Sequence, residues 1–188
     1  MAEHVILFAG PMGAGKTTAI QSLSEIAVVS TEAANTERDI VDKATTTVAL
    51  DYGEITISDD EKIRLYGVPG QRRFDFMWAI LKERARGLVL LVNNDAPEPV
   101  ALAVEYLGSF EELLLAGTVV IGISRSDIGV GPTSSDYSAA HAASWPGVMV
   151  PVLTLDPRDA AQMQTALLTL IAIIEARASL AAFQELTP

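Results

Sequence analysis

The sequence contains no cysteine. That excludes disulfide bridges, thiolate metal sites and prenyl or palmitoyl attachment. Histidine is nearly as scarce: His4 and His141 stand apart, with no metal-ligand spacing, and neither is assigned a role. Positive charge is in deficit, with 13 Lys and Arg against 24 Asp and Glu and a formal net charge of −11. A surface of that sign repels a phosphate backbone, so no nucleic-acid partner is expected. No basic stretch precedes an apolar run near the start, and position 2 is alanine, so neither a secretory signal nor N-myristoylation is expected. The apolar runs read as too short for a membrane span. The chain therefore reads as cytoplasmic and not as an integral membrane protein. What it has in quantity is apolar residues, 49% of 188, enough for the core of a single domain over 1–188 with a flexible tail from about 181.

The stretch Gly10-Pro11-Met12-Gly13-Ala14-Gly15-Lys16-Thr17 fits the phosphate-loop pattern G-x-x-x-x-G-K-[ST] at every fixed position. Before it runs Val5-Ile6-Leu7-Phe8-Ala9, an apolar run suited to a buried parallel strand; after it, Ala19, Ile20 and Leu23 mark one face of a helix. A phosphate chain needs donors packed around several negative charges. Glycines at 10, 13 and 15 let the backbone turn, so that N–H groups from Met12 through Thr18 converge on one concavity at a helix N-terminus. The Lys16 ammonium suits the β- and γ-phosphates, and the Thr17 hydroxyl suits Mg²⁺.

Strands are expected over 3–9, 47–57, 62–66, 87–92, 119–123 and 148–155. Helices are expected over 16–27, through Phe74, Phe76, Met77, Trp78, Ile80 and Leu81, and over 98–115, 135–143 and 156–180. The polar stretch from Ser30 to Ala44 reads as a long loop of the functional kind. Strands alternating with helices imply an α/β fold, a mostly parallel sheet with helices on both faces and ligands at the carboxyl ends of the strands.

Two further loops reach that edge. Gly70-Gln71 follows a strand: the Gly70 N–H can bind a γ-phosphate and Gln71 can orient an attacking water, or the pair is a plain turn. Thr45-Thr46-Thr47 opens another strand: a hydroxyl there can ligate Mg²⁺ in one nucleotide state, or threonine is present because it suits strands. Phe74, Phe76, Met77 and Trp78 form an apolar cluster beside the second loop, read as packing, as a partner surface, or as both.

With those segments in hand, the chain resembles the Ras-like small GTPases, above all the bacterial branch paired with Roadblock-type proteins and related to gliding-motility polarity switches. The resemblance rests on Gly10 to Thr17, on Thr45-Thr46-Thr47-Val48-Ala49-Leu50-Asp51-Tyr52-Gly53 and on Leu65-Tyr66-Gly67-Val68-Pro69-Gly70-Gln71-Arg72-Arg73-Phe74, and covers roughly 3–178. It implies a P-loop NTPase fold with a six-stranded sheet, binding of GTP or GDP with Mg²⁺, slow GTP hydrolysis, a two-state switch and a Roadblock-type or GAP partner. It makes Thr47 the switch threonine and, with Thr17, a metal ligand, and gives Gln71 and Lys16 the catalytic positions.

The departures are informative. Gly67 stands where most relatives have an aspartate that supports Mg²⁺; either the ion is held more weakly or Asp51 substitutes, and the sequence does not choose between them. Ser124-Arg125-Ser126-Asp127 stands in place of Asn-Lys-x-Asp: Asp127 keeps the carboxylate that reads guanine, Arg125 can stack on the base, and Ser124 loses a bridging amide. Leu155 and Asp156 would border the base through their backbone, while Asp156 also suits a helix N-cap ahead of Pro157. Met12 would crowd an incoming arginine finger, which leaves Arg38, Arg72 and Arg73 as internal candidates or as plain surface charges. A small-molecule kinase would carry an arginine-rich lid, and none is seen. A nucleotide-holding module without turnover stays open, given Met12, Gly67 and Ser124.

Overall fold

The computed structural model describes residues 2–30, 50–58, 61–70, 75–128 and 131–185. Among them the elements are β1 (Ala2–Ala9), α1 (Lys16–Leu23), β2 (Val29–Ser30), β3 (Asp51–Ser58), β4 (Glu61–Gly67), α2 (Asp75–Lys82), β5 (Ala85–Asn93), α3 (Pro99–Ser109), α4 (Glu111–Leu115), β6 (Val119–Ser124), α5 (Ser134–Ser144), β7 (Val152–Thr154) and α6 (Ala160–Glu185). They form one sheet in the order β2-β3-β4-β1-β5-β6-β7. The run β4, β1, β5, β6, β7 is parallel; β3 is antiparallel to β4, and β2 to β3. The six expected strands are present, and the two-residue β2 adds a seventh at the edge.

Alternation along the central strands builds two cores. Leu7 and Ala9 of β1, with Leu88, Leu90 and Val92 of β5, pack under α3 and α5 against Tyr106, Leu107, Phe110 and Tyr137. Ile6 and Phe8, with Val89 and Leu91, pack on the other face against Ile20 and Leu23 of α1 and Met163, Ala166, Leu167 and Leu170 of α6. A period of two in a strand sends neighbouring side chains to opposite faces, so strands apolar at every position demand helices on both sides.

Several boundaries differ from expectation for local reasons. Helix α1 stops at Leu23 because Ser24 turns extended (ψ 135°) and its Oγ accepts the N–H of Glu54 at 3.1 Å, tying the helix end to β3. The expected helix over 98–115 breaks at Phe110, whose side chain is fully buried and whose backbone leaves the helical region. The last strand shortens to three residues, since Pro151 has no N–H to give to a ladder. Helix α6 begins at Ala160, later than expected, because Asp159 and not Asp156 caps it: its Oδ1 accepts the N–H groups of Ala161 and Gln162 at 2.9 and 3.2 Å. The same helix continues to Glu185, past the expected start of the tail, with neither Gly nor Pro to stop it. Its stretch Ala160–Phe183 is long and apolar enough to cross a membrane, contrary to the reading that every apolar run falls short. Its first half lies on the sheet as core, through Met163, Ala166, Leu167 and Leu170.

Of the aromatic cluster, Trp78 is described, and it is packing: 4% exposed, its ring stacks on Phe110 at 5.2 Å and lies 5.7 Å from Tyr106, and its Nε1 donates to the Pro69 carbonyl at 3.2 Å. Trp78→Ala should cost about 3–5 kcal/mol in urea unfolding followed by circular dichroism. A loss below about 1 kcal/mol would show that the ring does not carry this corner of the core.

Candidate functional site

The loop between β1 and α1 lies at the carboxyl edge of the sheet. Gly10, Gly13 and Gly15 have φ of 137°, 81° and 96°, values that side-chain-bearing residues rarely adopt. At Gly10 space forbids a side chain as well, since a Cβ would lie 1.9 Å from the Leu91 carbonyl oxygen. The Lys16 ammonium arches back over this loop and donates to the carbonyls of Gly10 and Pro11, both at 2.8 Å. Among the described residues no side chain caps α1, and Ala14 is buried beneath the loop while Met12 stands out from it, 75% exposed. A helix N-terminus without a side-chain cap, next to left-handed glycines and an ammonium, is an anion cradle.

Two groups frame the cradle on the β4 side. The Thr17 hydroxyl donates to Asp51 Oδ2 at 2.5 Å. Gly70 lies directly on the loop, for a Cβ there would sit 2.8 Å from Gly10 O and 2.8 Å from Met12 N. The Gly70 carbonyl accepts the Tyr106 hydroxyl at 2.8 Å. Hydroxyl and carboxylate oxygens are the donors that Mg²⁺ takes, so Thr17 with Asp51 beside it fits that ion. Thr47 and Gln71 lie outside the described residues, as do Thr45, Thr46, Arg38, Arg72, Arg73, Phe74 and the side chains of Phe76 and Met77.

On the other side of the loop opens a cavity of about 580 Å³, lined by Gly13, Ala14, Gly15, Thr18, Ser124, Arg125, Asp127, Leu155 and Asp156 among others. The structure thus brings the phosphate loop and both expected base-side loops into one space. Ser124 is buried, and its Oγ lies 3.2 Å from the Ala14 carbonyl oxygen, so a hydroxyl still links the base loop to the phosphate loop. Arg125 takes a left-handed backbone (φ 55°) and its guanidinium bridges Asp95 Oδ2 at 3.0 Å and the Gly13 carbonyl at 3.2 Å. That pins a flat cation as one wall. Hydrogen bonds from Asn93 and then from Arg125 hold Asp95 below the usual carboxylate range, so its carboxylate is charged at neutral pH. Asp127 stands exposed on the rim.

The opposite wall comes from the loop after β7, with Leu155 and Asp156 in the lining as expected. The Leu155 side chain is buried and its N–H bonds the Ile123 carbonyl; the Asp156 N–H bonds Gln162 Oε1. Both of these backbone N–H groups are thus engaged within the chain. Pro157 closes on Gly15, where a Cβ would lie 2.6 Å from its Cγ, and Arg158 pairs with Asp156 at 2.7 Å. That guanidinium draws Asp156 down to about 2. Asp95, Arg158 and Tyr106 were not singled out from sequence. Asp95 had a signal, a carboxylate just past the end of a central strand, and Arg158 lies two positions from the Asp156 it pairs with; Tyr106 reaches Gly70 through a tertiary contact alone.

A family model described as conserved hypothetical ATP binding protein matches residues 26–128, more than half of the chain. An uncharacterized protein of Methanocaldococcus jannaschii is 31% identical over 139 residues, covering 72% of this chain and 79% of the relative. The chain belongs to that conserved hypothetical ATP-binding family. The family match begins beyond the phosphate loop, so the glycines and Lys16 are a separate sign of the same chemistry. Among solved structures, the Arl6 small GTPase of Trypanosoma brucei with bound GppNp aligns with a TM-score of 0.67 at 10% identity, covering 94% of this chain and 99% of that one. The G domain of the T. maritima FeoB iron transporter aligns with a TM-score of 0.57 at 17% identity, with the same coverages. At such identities the likeness establishes the fold, that of the P-loop GTPases. Fold and family together make this member of the family a nucleotide-binding phosphate-loop protein. Nothing in these relatives' descriptions supports the Roadblock pairing or the gliding-motility link.

Proposed function

We propose that the chain is a nucleotide switch that binds GTP and GDP with Mg²⁺, hydrolyses GTP slowly and works in the cytoplasm. The observation that carries this reading is the base-side loop. Arg125 lies across the Gly13 carbonyl, Ser124 is tied to Ala14, and Asp127 of the same loop lines the cavity beside the phosphate cradle. A carboxylate is an acceptor only. Guanine presents two adjacent donors on its pairing edge, the ring N–H and the 2-amino group, whereas adenine presents one donor beside an acceptor. Asp127 therefore favours guanine. Lys16 would meet the β- and γ-phosphates, Thr17 the metal ion, Gly70 the γ-phosphate and Gln71 the attacking water, with Thr47 closing over the metal in the GTP state. Without an arginine beside the γ-phosphate, turnover is expected to be slower by on the order of 10³–10⁵-fold, and a GAP-type partner would supply the difference.

The second reading is ATP in the same cradle, favoured by the description of the matched family. Competition of unlabelled GTP, GDP, ATP and ADP against a fluorescent GDP with Mg²⁺ present separates the two. Guanine nucleotides should compete far better, and Asp127→Asn, which turns one acceptor into a donor, should lower that preference by about 10-fold or more, the cost of about 1–3 kcal/mol for one mispaired buried donor. Equal competition by adenine nucleotides would overturn guanine reading and favour ATP. Single-turnover phosphate release then separates a slow hydrolase from a module that only holds nucleotide.

A further inference from the structure

A metal ion in a phosphate-loop protein is held by the loop's Ser or Thr hydroxyl and supported by a carboxylate at the end of a sheet strand. Strand β4, which pairs with β1 beside the loop, ends in Gly67 and has no side chain to offer there. The neighbouring strand β3 runs the other way and starts with Asp51, whose register partner across the ladder is Gly67. A Cβ built on Gly67 would lie 3.0 Å from Asp51 Cβ and 3.1 Å from Asp51 Oδ2. The carboxylate thus already fills the space a side chain at 67 would take. The same Oδ2 accepts the Thr17 hydroxyl proton at 2.5 Å.

We propose that Asp51, from the antiparallel strand, is the carboxylate that supports the nucleotide-bound Mg²⁺ in place of a residue at 67. It is a positioning residue. A hydroxyl has one proton and two lone pairs. With its proton given to Asp51, Thr17 turns its lone pairs toward the cation, and the carboxylate charge beside them strengthens the hold on a dication. The close approach of Asp51 to position 67 explains why glycine stands there: two side chains do not fit without displacing each other or the Ile20 Cδ1, which would lie 3.0 Å from the same Cβ. The proposal rests on nucleotide binding at the phosphate loop but not on which base is bound.

The test uses N-methylanthraniloyl-GDP and -ADP, titrated with the full chain in EDTA and across Mg²⁺ concentrations. For the parent, Mg²⁺ should tighten binding of the better nucleotide. Asp51→Asn keeps the shape and an acceptor for Thr17 while removing the charge. It should leave affinity in EDTA within about twofold and raise the Mg²⁺ midpoint about 10–100-fold, the usual loss for an outer partner of a metal ligand. The exchange variant Asp51→Gly with Gly67→Asp should restore the midpoint to within about threefold of the parent, and it decides the matter should Asp51→Asn fail to fold. An unchanged midpoint in Asp51→Asn, or a parent whose nucleotide affinity ignores Mg²⁺, would overturn the assignment while leaving nucleotide binding intact. A parent that binds neither labelled nucleotide under any condition would overturn the nucleotide reading, and this assignment with it.

Discussion

Lys16→Ala should abolish measurable nucleotide binding. The ammonium donates to the Gly10 and Pro11 carbonyls across the loop, at 2.8 Å each, which holds it over the mouth of the concavity framed by the glycine turns. Losing it takes away charge-assisted bonds to the phosphates, worth about 1.5–3 kcal/mol apiece. Two such bonds amount to about 3–6 kcal/mol, or roughly 10²–10⁴-fold in affinity. Fold stability should change far less, because the carbonyls that Lys16 engages lie in a partly exposed loop that water can reach. Lys16→Arg should not rescue binding, since the longer, planar guanidinium cannot place its charge at the point where the compact ammonium lies 2.8 Å from both carbonyls. Fluorescent-nucleotide titration with circular dichroism alongside checks both points. Binding within about threefold of the parent would show that Lys16 is a clasp for the loop and that the phosphates are held by backbone N–H groups alone.

How much of this was legible beforehand varied with how local the cause is. The phosphate loop was readable because its chemistry is concentrated in one stretch: glycines, Lys16 and Thr17 within eight residues, between an apolar strand and an amphipathic helix. The central strands were readable because β5 and β6 are apolar at successive positions and so have to be buried on both faces. What was not readable depends on register and on partners far along the chain. Asp51 reaches Thr17 only because β3 and β4 pair with Asp51 opposite Gly67, and no residue near Asp51 announces that alignment. Arg125 is held by Asp95 from the neighbouring strand end, thirty positions away in sequence. Phe110 ends α3 because the core beneath Trp78 needs a ring there, a demand that helix periodicity does not encode. Strand β2 is too short to leave a pattern. The base-side motif was the most ambiguous part, since Ser124 and Arg125 differ from the residues usual there. The structure shows Ser124 and Arg125 each binding a carbonyl of the phosphate loop, more than a hundred positions away, a tie that no local pattern encodes.

Gly70→Ala should separate holding nucleotide from turning it over. Gly70 is not among the positive-φ glycines, so its backbone accepts alanine without strain. The obstacle is purely one of space. The new Cβ would meet Gly10 O at 2.8 Å, Met12 N at 2.8 Å and Pro11 C at 2.9 Å, all backbone atoms of the phosphate loop, with no flexible side-chain end to move aside. On its far side the segment is tethered, through Tyr106 to the Gly70 carbonyl and through Trp78 to the Pro69 carbonyl. The methyl group therefore pushes the Gly70 N–H away from the loop against two hydrogen bonds anchored in the α3 core. A donor aimed at charge that develops on a transferring phosphate contributes about 10²–10³-fold to rate, and little to binding a product that lacks that group. The expected result is GDP affinity within about threefold of the parent and single-turnover phosphate release slower by about 10²-fold. Turnover at the parent rate would show that the Gly70 N–H takes no part in the chemistry and that its approach to the loop is packing alone. Equal losses in GDP affinity and turnover would point instead to a phosphate loop distorted by the methyl group.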